Sequence, residues 1–419
     1  MSPSMNDDRA LPMAGAIPMA GAIPLAGAIR DPRPGLSGFT PDALLGWVEE
    51  AGEPTYRARQ IADGVWRSSA AEVADLVTLP ASLRDRLDAE TRFDTVADAE
   101  IRITDGGQTE KALHRLSDGA LIESVLMHYP PGPGRRERHT LCISSQAGCA
   151  VGCPFCATGE LGFTRDLETA EIVDQVRHAA RRLAADGRRL TNVVFMGMGE
   201  PLLNLDRVLE AVSALNDPER FGLGARHLTV STSGVVPGMR RLTALGPQFT
   251  LAVSLHAARD ALRDVLVPLN RRWPVAEVVA AATAHAEATG RRVSYEVTMI
   301  DGVNDTAVDA DAMAELLRGR LAHVNLIPMN PVAHTPWQAS PVSRLEAFAG
   351  TLRAAGIETT IRRNRGQEIG AACGQLAAER SGEPPAATID RRRRLLIDAS
   401  VAALRGERSQ DPVPSGVGD

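Results

Sequence analysis

The sequence predicts an α/β fold: a repeated strand-to-helix unit of the βα-barrel kind behind a small all-α segment. Two observations predict it. From Leu141 onward, short apolar runs alternate with stretches of helical periodicity, the pattern of a parallel sheet whose strands are joined by helices. The unusual residue groups fall just after these strands, on the carboxyl side, where the loops of a βα barrel converge on one face. At 419 residues the chain has room for a barrel of about 250 residues plus an accessory domain, and with 44% hydrophobic residues it can bury a full core.

In order, Pro12 to Ile29 carries Pro-Met-Ala-Gly-Ala-Ile twice and Pro-Leu-Ala-Gly-Ala-Ile once. A proline every sixth residue prevents a regular helix, and acidic Asp7 and Asp8 ahead of it do not suit a signal peptide. Thr40 and Pro41 form an N-cap and first-turn pair, with Leu44, Leu45, Trp47 and Val48 as the apolar stripe of a first helix. Tyr56 to Trp66, Ala70 to Leu76 and Pro80 to Leu87 continue as short helices. From Asp98 the pattern turns to β, with Ala112–Leu116 and Leu121–Met127 alternating across a turn at Asp118-Gly119 and Glu123 in the second strand.

A strand over Leu141–Ser144 leads into a cysteine loop, and Glu168–Ala185 is a helix with Ile172, Val173, Val176, Ala180 and Leu183 on one face. Strands at Asn192–Met196, His227–Val230 and Thr250–Val253 run into Gly-Met-Gly-Glu, Ser-Thr-Ser-Gly and Ser-Leu-His respectively. A helix through Val208, Leu209, Val212 and Leu215 follows the first of these. Pro274 opens a helix that Gly290 closes. Val293–Met299, His323–Ile327 and Ile357–Ile361 supply further strands, with Pro341–Ala355 as a helix between the last two.

A net charge of −6 argues against wholesale coating of nucleic acid, yet the arginines are clumped: Arg135, Arg136 and Arg138; Arg181 and Arg182; Arg188 and Arg189; Arg362, Arg363 and Arg365; and Arg391 to Arg394. Local patches of this kind can hold a phosphate backbone on an acidic protein. Lys111 is the only lysine. No run of 18 apolar residues suggests a membrane span. Five cysteines do not make a disulfide scaffold in a chain this long, and their clustering suits a reducing cytosol.

Cys149, Cys153 and Cys156 have the spacing C-x3-C-x2-C. Three soft ligands on a short loop suit an iron–sulfur cluster, and with three protein ligands one iron keeps an open position for a small molecule. Phe155 is placed to shield one side from water. Two other readings stand beside this one: a structural zinc site, for which a second C-x2-C or a histidine pair is missing, and buried unligated cysteines.

Six further stretches narrow the choice: Ser144-Ser145-Gln146-Ala147-Gly148-Cys149, Gly162-Phe163-Thr164-Arg165, Gly197-Met198-Gly199-Glu200-Pro201, Ser231-Thr232-Ser233-Gly234-Val235, Ser254-Leu255-His256-Ala257 and Ala372-Cys373-Gly374-Gln375-Leu376. With them, in order between about Thr40 and Leu376, the chain resembles the RlmN/Cfr family of radical S-adenosylmethionine (SAM) RNA methyltransferases.

The resemblance implies a partial (βα)6-type radical SAM barrel with a small N-terminal all-α accessory domain. One [4Fe–4S] cluster would sit on Cys149, Cys153 and Cys156, and two SAM molecules would be used per turnover. Gly199, Glu200, Ser231, Ser254, Leu255, His256 and Asn330 map onto SAM-contacting positions. The substrates would be 23S rRNA, at adenine C2 in the peptidyl-transferase centre, and tRNA, at the adenosine 3′ of the anticodon.

Because C2 is electron-poor, a polar methyl transfer to it is unfavourable. By resemblance, Cys373 first takes a methyl group, a 5′-deoxyadenosyl radical from a second SAM removes hydrogen from that methyl, and the carbon radical adds to C2. Glu123 matches the proton acceptor and Cys142 the thiol that resolves the adduct through a transient disulfide with Cys373. From the residues alone, Cys373 also reads as a buried cysteine at a loop end. The alternative reading within the family is a Cfr-type 23S rRNA adenine-C8 methyltransferase, which confers antibiotic resistance. A non-catalytic metal protein binding RNA, or a radical SAM enzyme with another substrate, are the rivals outside it.

The expected segments are 1–37, a flexible extension; 38–95, a helical RNA-binding domain in which Tyr56, Arg57 and Arg59 resemble the accessory-domain signature and equally suit an ordinary solvated helix start; 96–140, a β-rich link; 141–378, the barrel; and 379–419, a basic tail. Ala157 to Leu161 and Met329 differ from the residues expected of the family's enterobacterial members. The expected partners include an external, flavodoxin-like electron donor and no membrane, for a cytoplasmic monomer.

Overall fold

The computed structural model describes residues 30–67, 70–134, 136–333, 335–362 and 365–376. The repeats at Pro12–Ile29, the tail at 379–419 with Arg391 to Arg394, and Arg135 and Arg363 lie outside the described residues.

The chain begins with helices α1 (Pro41–Glu50), α2 (Tyr56–Trp66) and α3 (Ala81–Glu90). Thr40 caps α1 as its position predicts, its Oγ1 accepting the Ala43 amide at 3.1 Å. Leu44, Val48, Ile61, Val65, Leu83, Leu87 and Phe93 bury one another in a cluster separate from the main core. The helix expected over Ala70–Leu76 is a single 3₁₀ turn, Val73–Asp75. Its cause is local: the Asp75 carboxylate accepts the Ala71 and Glu72 amides at 2.8 and 3.2 Å, which tightens the turn and offers nothing to continue it.

Three antiparallel strands follow, β1 (Ala97–Thr104), β2 (Thr109–Arg115) and β3 (Leu121–Tyr129), and β3 pairs antiparallel with β4 (Arg138–Cys142). β4 therefore starts earlier than expected and ends at Cys142, leaving Ser144 in the loop. A ribbon of β5 (Gln146–Gly148) and β6 (Phe163–Asp166) brackets a short α4 (Ala157–Leu161). Then come α5 (Thr169–Ala185), β7 (Asn192–Phe195), α6 (Leu205–Asn216), β8 (Leu228–Thr232), α7 (Val236–Leu245), β9 (Thr250–Ser254), α8 (Asp260–Leu266), α9 (Val275–Thr289), β10 (Val293–Met299), α10 (Ala307–Leu317), β11 (Ala322–Pro328), α11 (Val342–Ala354) and β12 (Glu358–Ile361).

The main sheet has ten strands in the order β1-β2-β3-β4-β7-β8-β9-β10-β11-β12, and every pairing from β4 to β12 is parallel. Six βα units from β4 to α11 form the partial barrel, and β12 adds a further parallel strand. Its strands alternate: Val230, Val293, Val297, Val324 and Leu326 are fully buried, while Ser231, Ser294, Thr298, His323 and Asn325 on the opposite face are polar and half-buried. The chain after β12 reaches across to the β1–β2 hairpin: the Gly366 amide donates to Asp105 Oδ2 at 2.9 Å and Thr104 Oγ1 to Glu368 Oε2 at 2.8 Å. Among the described residues no helix is long and apolar enough to cross a membrane.

The helix α5 joins the two cores. Buried Arg177 donates through Nε and Nη1 to the carbonyls of Val65 and Phe93 and pairs with Asp174 and Asp94, so its guanidinium ties the N-terminal helices to the barrel.

Candidate active site

The cysteine loop is held at both ends by tight backbone packing. The Cys149 amide donates to the Gly162 carbonyl at 2.8 Å, and Gly148 sits at φ +77° where a Cβ would stand 1.9 Å from that same oxygen, so only glycine fits. Cys149, Cys153 and Cys156 are half-buried on this loop, packed with Val151 and Phe155. Burial pushes the Cys149 thiol up to about 12 and raises Cys153 and Cys156 as well, the three acting on one another.

The donor set discriminates between metal groups. A single zinc ion needs ligand sulfurs within about 4 Å of one another, whereas among the described residues only Asp98, His114 and His178 bring three ligand atoms within 4.8 Å. Three thiols on one loop, not gathered as closely as one ion would need, are the soft donor set that suits an iron–sulfur cluster. Phe155 is buried and meets the His256 ring edge-on at 4.7 Å, so it buttresses a neighbouring motif as well as covering the loop.

The motifs after the barrel strands interlock around this loop. Ser145 and Gln146 amides donate to the Met198 carbonyl at 2.8 and 3.2 Å, and the Glu200 amide donates to Gln146 Oε1 at 2.9 Å. Gly199 has φ +98° and its missing Cβ would lie 2.5 Å from Gln146 Cβ. The Glu200 carboxylate is buried and accepts three bonds from its own chain: Leu202 N at 3.0 Å, Ser233 N at 2.6 Å and Ser233 Oγ at 2.7 Å. Burial raises its pKa against the pull of those donors. Ser231 Oγ donates to the Phe195 carbonyl at 2.6 Å.

Arg263 is fully buried and stitches two of these motifs together, donating to the carbonyls of Ser254 (3.2 Å) and Leu255 (2.9 Å) in one and Ser233 (2.6 Å) in the other. His256 takes a left-handed φ of 60°, and its Nδ1 accepts the Thr298 amide at 3.0 Å. Burial pushes it down to about 3, so the ring is neutral with its proton on Nε2.

The Cys373 loop docks directly on the cysteine loop. The Ala157 amide donates to the Gly374 carbonyl at 2.7 Å, and Thr158 Oγ1 donates to the Leu376 carbonyl at 2.7 Å. Gly374, at φ +81°, lies against Phe155 and Cys156. Asn330 Nδ2 donates to the Cys373 carbonyl at 2.9 Å, while its Oδ1 accepts from Gln367 at 2.7 Å, so its amide orients the Cys373 loop. Arg362 Nη1 points at Cys373 Sγ, 3.2 Å away.

Cys142 is buried at the end of β4, its thiol pushed up to about 12 by burial and by the charge of Cys373. All five cysteines are free thiols, so the disulfide implied for Cys142 and Cys373 is not a feature of this structure. Glu123 is wholly buried on β3, paired with Lys111 of β2 at 2.9 Å, and Lys111 Nζ also lies 3.4 Å from the Gly370 carbonyl of the Cys373 loop.

Lys111, Arg263 and Arg362 were missed by sequence reasoning as site residues. A lone lysine in a strand and one member of an arginine clump were the only signals for the first and last; Arg263 left none. Arg165, quoted for the resemblance, pairs with Asp118 and Glu171 and braces the start of α5. Arg57 and Arg59 are engaged locally with Glu53 and Asp63.

Comparison with known proteins gives a consistent result. Residues 143–314 match the family model described as Radical SAM superfamily. A Frankia alni protein named probable dual-specificity RNA methyltransferase RlmN is 54% identical over 340 residues, covering 79% of this chain and 80% of its own. One of the same name from Parafrankia sp. is 53% identical over 358 residues, covering 82% and 91%. The crystal structure of a radical SAM methyltransferase from Sphaerobacter thermophilus superposes with a TM-score of 0.80 at 47% identity, covering 83% of this chain and all of that one. On sequence, fold and the arrangement of its cysteines, the chain belongs to the RlmN family of the radical SAM superfamily.

Proposed function

We propose that this radical SAM RNA methyltransferase methylates adenine C2, in 23S rRNA at the peptidyl-transferase centre and in tRNA 3′ of the anticodon, and that Cys373 carries the methyl group. The observation that carries this reading is the docking of a free Cys373 on the last cluster cysteine, through the Ala157–Gly374 and Thr158–Leu376 bonds. A thiol needed only for packing has no reason to be aimed at an arginine beside that loop. The relatives' name, with its dual specificity, suits two RNA substrates.

Cys149, Cys153 and Cys156 would hold one [4Fe–4S] cluster, which when bound supplies the electron for reductive cleavage of SAM. The chain's own residues then do the rest. Cys373 Sγ loses its proton with Arg362 stabilising the developing thiolate, attacks the sulfonium methyl of one SAM, and S-adenosylhomocysteine leaves. After a second SAM is cleaved, a hydrogen atom passes from that methyl to the 5′-deoxyadenosyl fragment, which leaves as 5′-deoxyadenosine, and the carbon bonds to C2 of the RNA adenine. Glu123 accepts the C2 proton, and the one electron the adduct gives up balances the one spent on SAM cleavage, returning to the cluster that Cys149, Cys153 and Cys156 would hold. Cys142 Sγ, deprotonated, attacks Cys373 Sγ; the S–C bond breaks, the released carbon takes a proton to become the RNA methyl, and the two sulfurs are left as a disulfide. An external dithiol reduces that disulfide before the next turnover, which suits a cytoplasmic enzyme.

Peptide mapping after anaerobic incubation with methyl-deuterated SAM and no RNA tests the carrier. The reading expects one deuterated methyl on Cys373 and none in Cys373→Ala. Cluster-loaded protein that cleaves SAM but leaves Cys373 unlabelled would overturn it.

A further inference from the structure

Of the arginine clumps in the sequence, several are neutralised in the fold. Arg181 pairs with Asp94, Arg182 with Asp98 and Glu110, and Arg188 with Asp186. Two others behave differently. Arg138, which opens β4, and Arg365, from the clump after β12, converge on one ring: their guanidinium carbons lie 4.1 and 4.5 Å from the centroid of Tyr129. Among the described residues neither has a carboxylate partner. Arg365 is fixed by neutral acceptors, the Gln108 side chain and the His128 carbonyl, both at 2.9 Å.

This stack is contiguous with the thiol. Tyr129 OH donates to Met127 Sδ at 3.6 Å, Arg362 Nη2 stands 4.0 Å from the same sulfur, and Arg362 Nη1 reaches Cys373 Sγ at 3.2 Å. Two positive charges without counter-ions, held in place by an aromatic face, are costly to set side by side unless an anion joins them. Guanidinium forks match phosphate oxygens, and pre-stacking them on Tyr129 reduces the ordering that binding would require.

We propose that Arg138, Tyr129 and Arg365 form the docking strip for the RNA backbone flanking the target nucleotide, from which Arg362 leads to the methyl-carrying thiol. The proposal rests on the reading of Cys373 as methyl carrier. These are positioning residues: phosphate contacts set where the strand lies, and the adenine is selected in the pocket beyond. The strip would thus govern affinity and its salt dependence, and leave the methyl loading of Cys373 untouched.

The test uses the full chain with its cluster reconstituted and a fluorescein-labelled, protein-free 23S rRNA fragment, with binding measured by anisotropy over a range of salt. Arg138→Ala and Arg365→Ala should each flatten the slope of log affinity against log salt by roughly 0.7–0.9, about one phosphate apiece. Arg138→Glu with Arg365→Glu should weaken binding at least about tenfold at low salt. In turnover the apparent KM for RNA rises with kcat nearly kept, and Cys373 labelling from SAM alone stays as in the wild type. Arg188→Ala, which removes a paired arginine, should leave the slope unchanged.

Arg138→Lys with Arg365→Lys keeps the charge without the guanidinium stack, and should hold the slope while losing part of the affinity. An unchanged slope and affinity in the double alanine variant would overturn the proposal, as would loss of Cys373 labelling along with binding, which would put the fault in the thiol's own pocket. If no RNA is ever methylated but salt-dependent binding through Arg138 and Arg365 persists, the catalytic reading fails and the docking strip stands.

Discussion

Lys111 Nζ stands 2.9 Å from Glu123 Oε1, with both side chains buried in the β2–β3 hairpin. The one lysine of the chain is thus placed on the one carboxylate assigned to take the C2 proton. Lys111→Met should destabilise the protein by about 3–5 kcal/mol, or force Glu123 to take up a proton, because a buried carboxylate loses its counter-charge. Denaturant melts should see the loss, and Lys111→Met with Glu123→Gln should recover much of it. Both variants should still label Cys373 and both should fail to methylate RNA, since one lacks a free base and the other any base.

Gly199 sits at φ +98° with Gln146 where its Cβ would be. Gly199→Ala should therefore cost about 2 kcal/mol or more and lower SAM affinity, read by thermal melts and equilibrium dialysis. Gly162 offers the comparison: its φ of +75° and ψ of −171° suit only glycine but nothing lies within 4 Å of its added Cβ, so Gly162→Ala should carry backbone strain of about 1–3 kcal/mol without the clash.

Cys142→Ala removes the thiol that frees the product. Its side chain is buried, and alanine fits the space, so the fold should hold. The expected outcome is RNA that stays covalently attached to Cys373 after SAM and reductant are added, seen as a protein–RNA band on a denaturing gel. Wild-type protein shows none at the end of turnover, and a variant that turns over normally would remove Cys142 from the reaction.

Stability should fall at alkaline pH through His178. Burial pulls this imidazole down, but hydrogen bonds and charge from Asp94 and Asp98, 3.2 Å from either ring nitrogen, outweigh it and raise it to about 9. A histidine with its folded pKa above the unfolded value of about 6.5 contributes stability that is fully present below 6.5 and lost as pH rises through about 9. The contribution is on the order of 1–3 kcal/mol, and His178→Gln should remove that part of the decline in melting temperature between pH 7 and pH 10. Neighbouring His114 works the other way: burial lowers it, so its share is lost as pH falls below 6.5.

Much of the fold was legible because local signals and tertiary packing agree. Pro274 and Gly290 bracket α9 at its observed ends, with Gly290 left-handed, and the strand over Val293–Met299 is found at those residues. The 70–76 segment misled because side-chain caps compete with helix hydrogen bonds there. An acidic residue in a strand ordinarily reads as solvent-facing, so only the resemblance singles Glu123 out. β3 is flanked by β2 and β4 and buried along nearly its whole length, which no period-2 pattern within it could announce. Arg263 and Arg362 were illegible for a further reason: each acts on carbonyls or a thiol brought to it by separate loops, and that placement exists only once the barrel has formed.

The central claim, that the chain methylates adenine C2 by way of Cys373, is tested most directly by nucleoside mass spectrometry. The anaerobic reaction contains reconstituted protein, reductant, methyl-deuterated SAM and a protein-free 23S rRNA fragment. The account predicts labelled 2-methyladenosine, absent with Cys373→Ala. Labelled 8-methyladenosine would contradict the assignment to C2. No labelled nucleoside, from protein with a full cluster that still cleaves SAM, would contradict the assignment to this RNA.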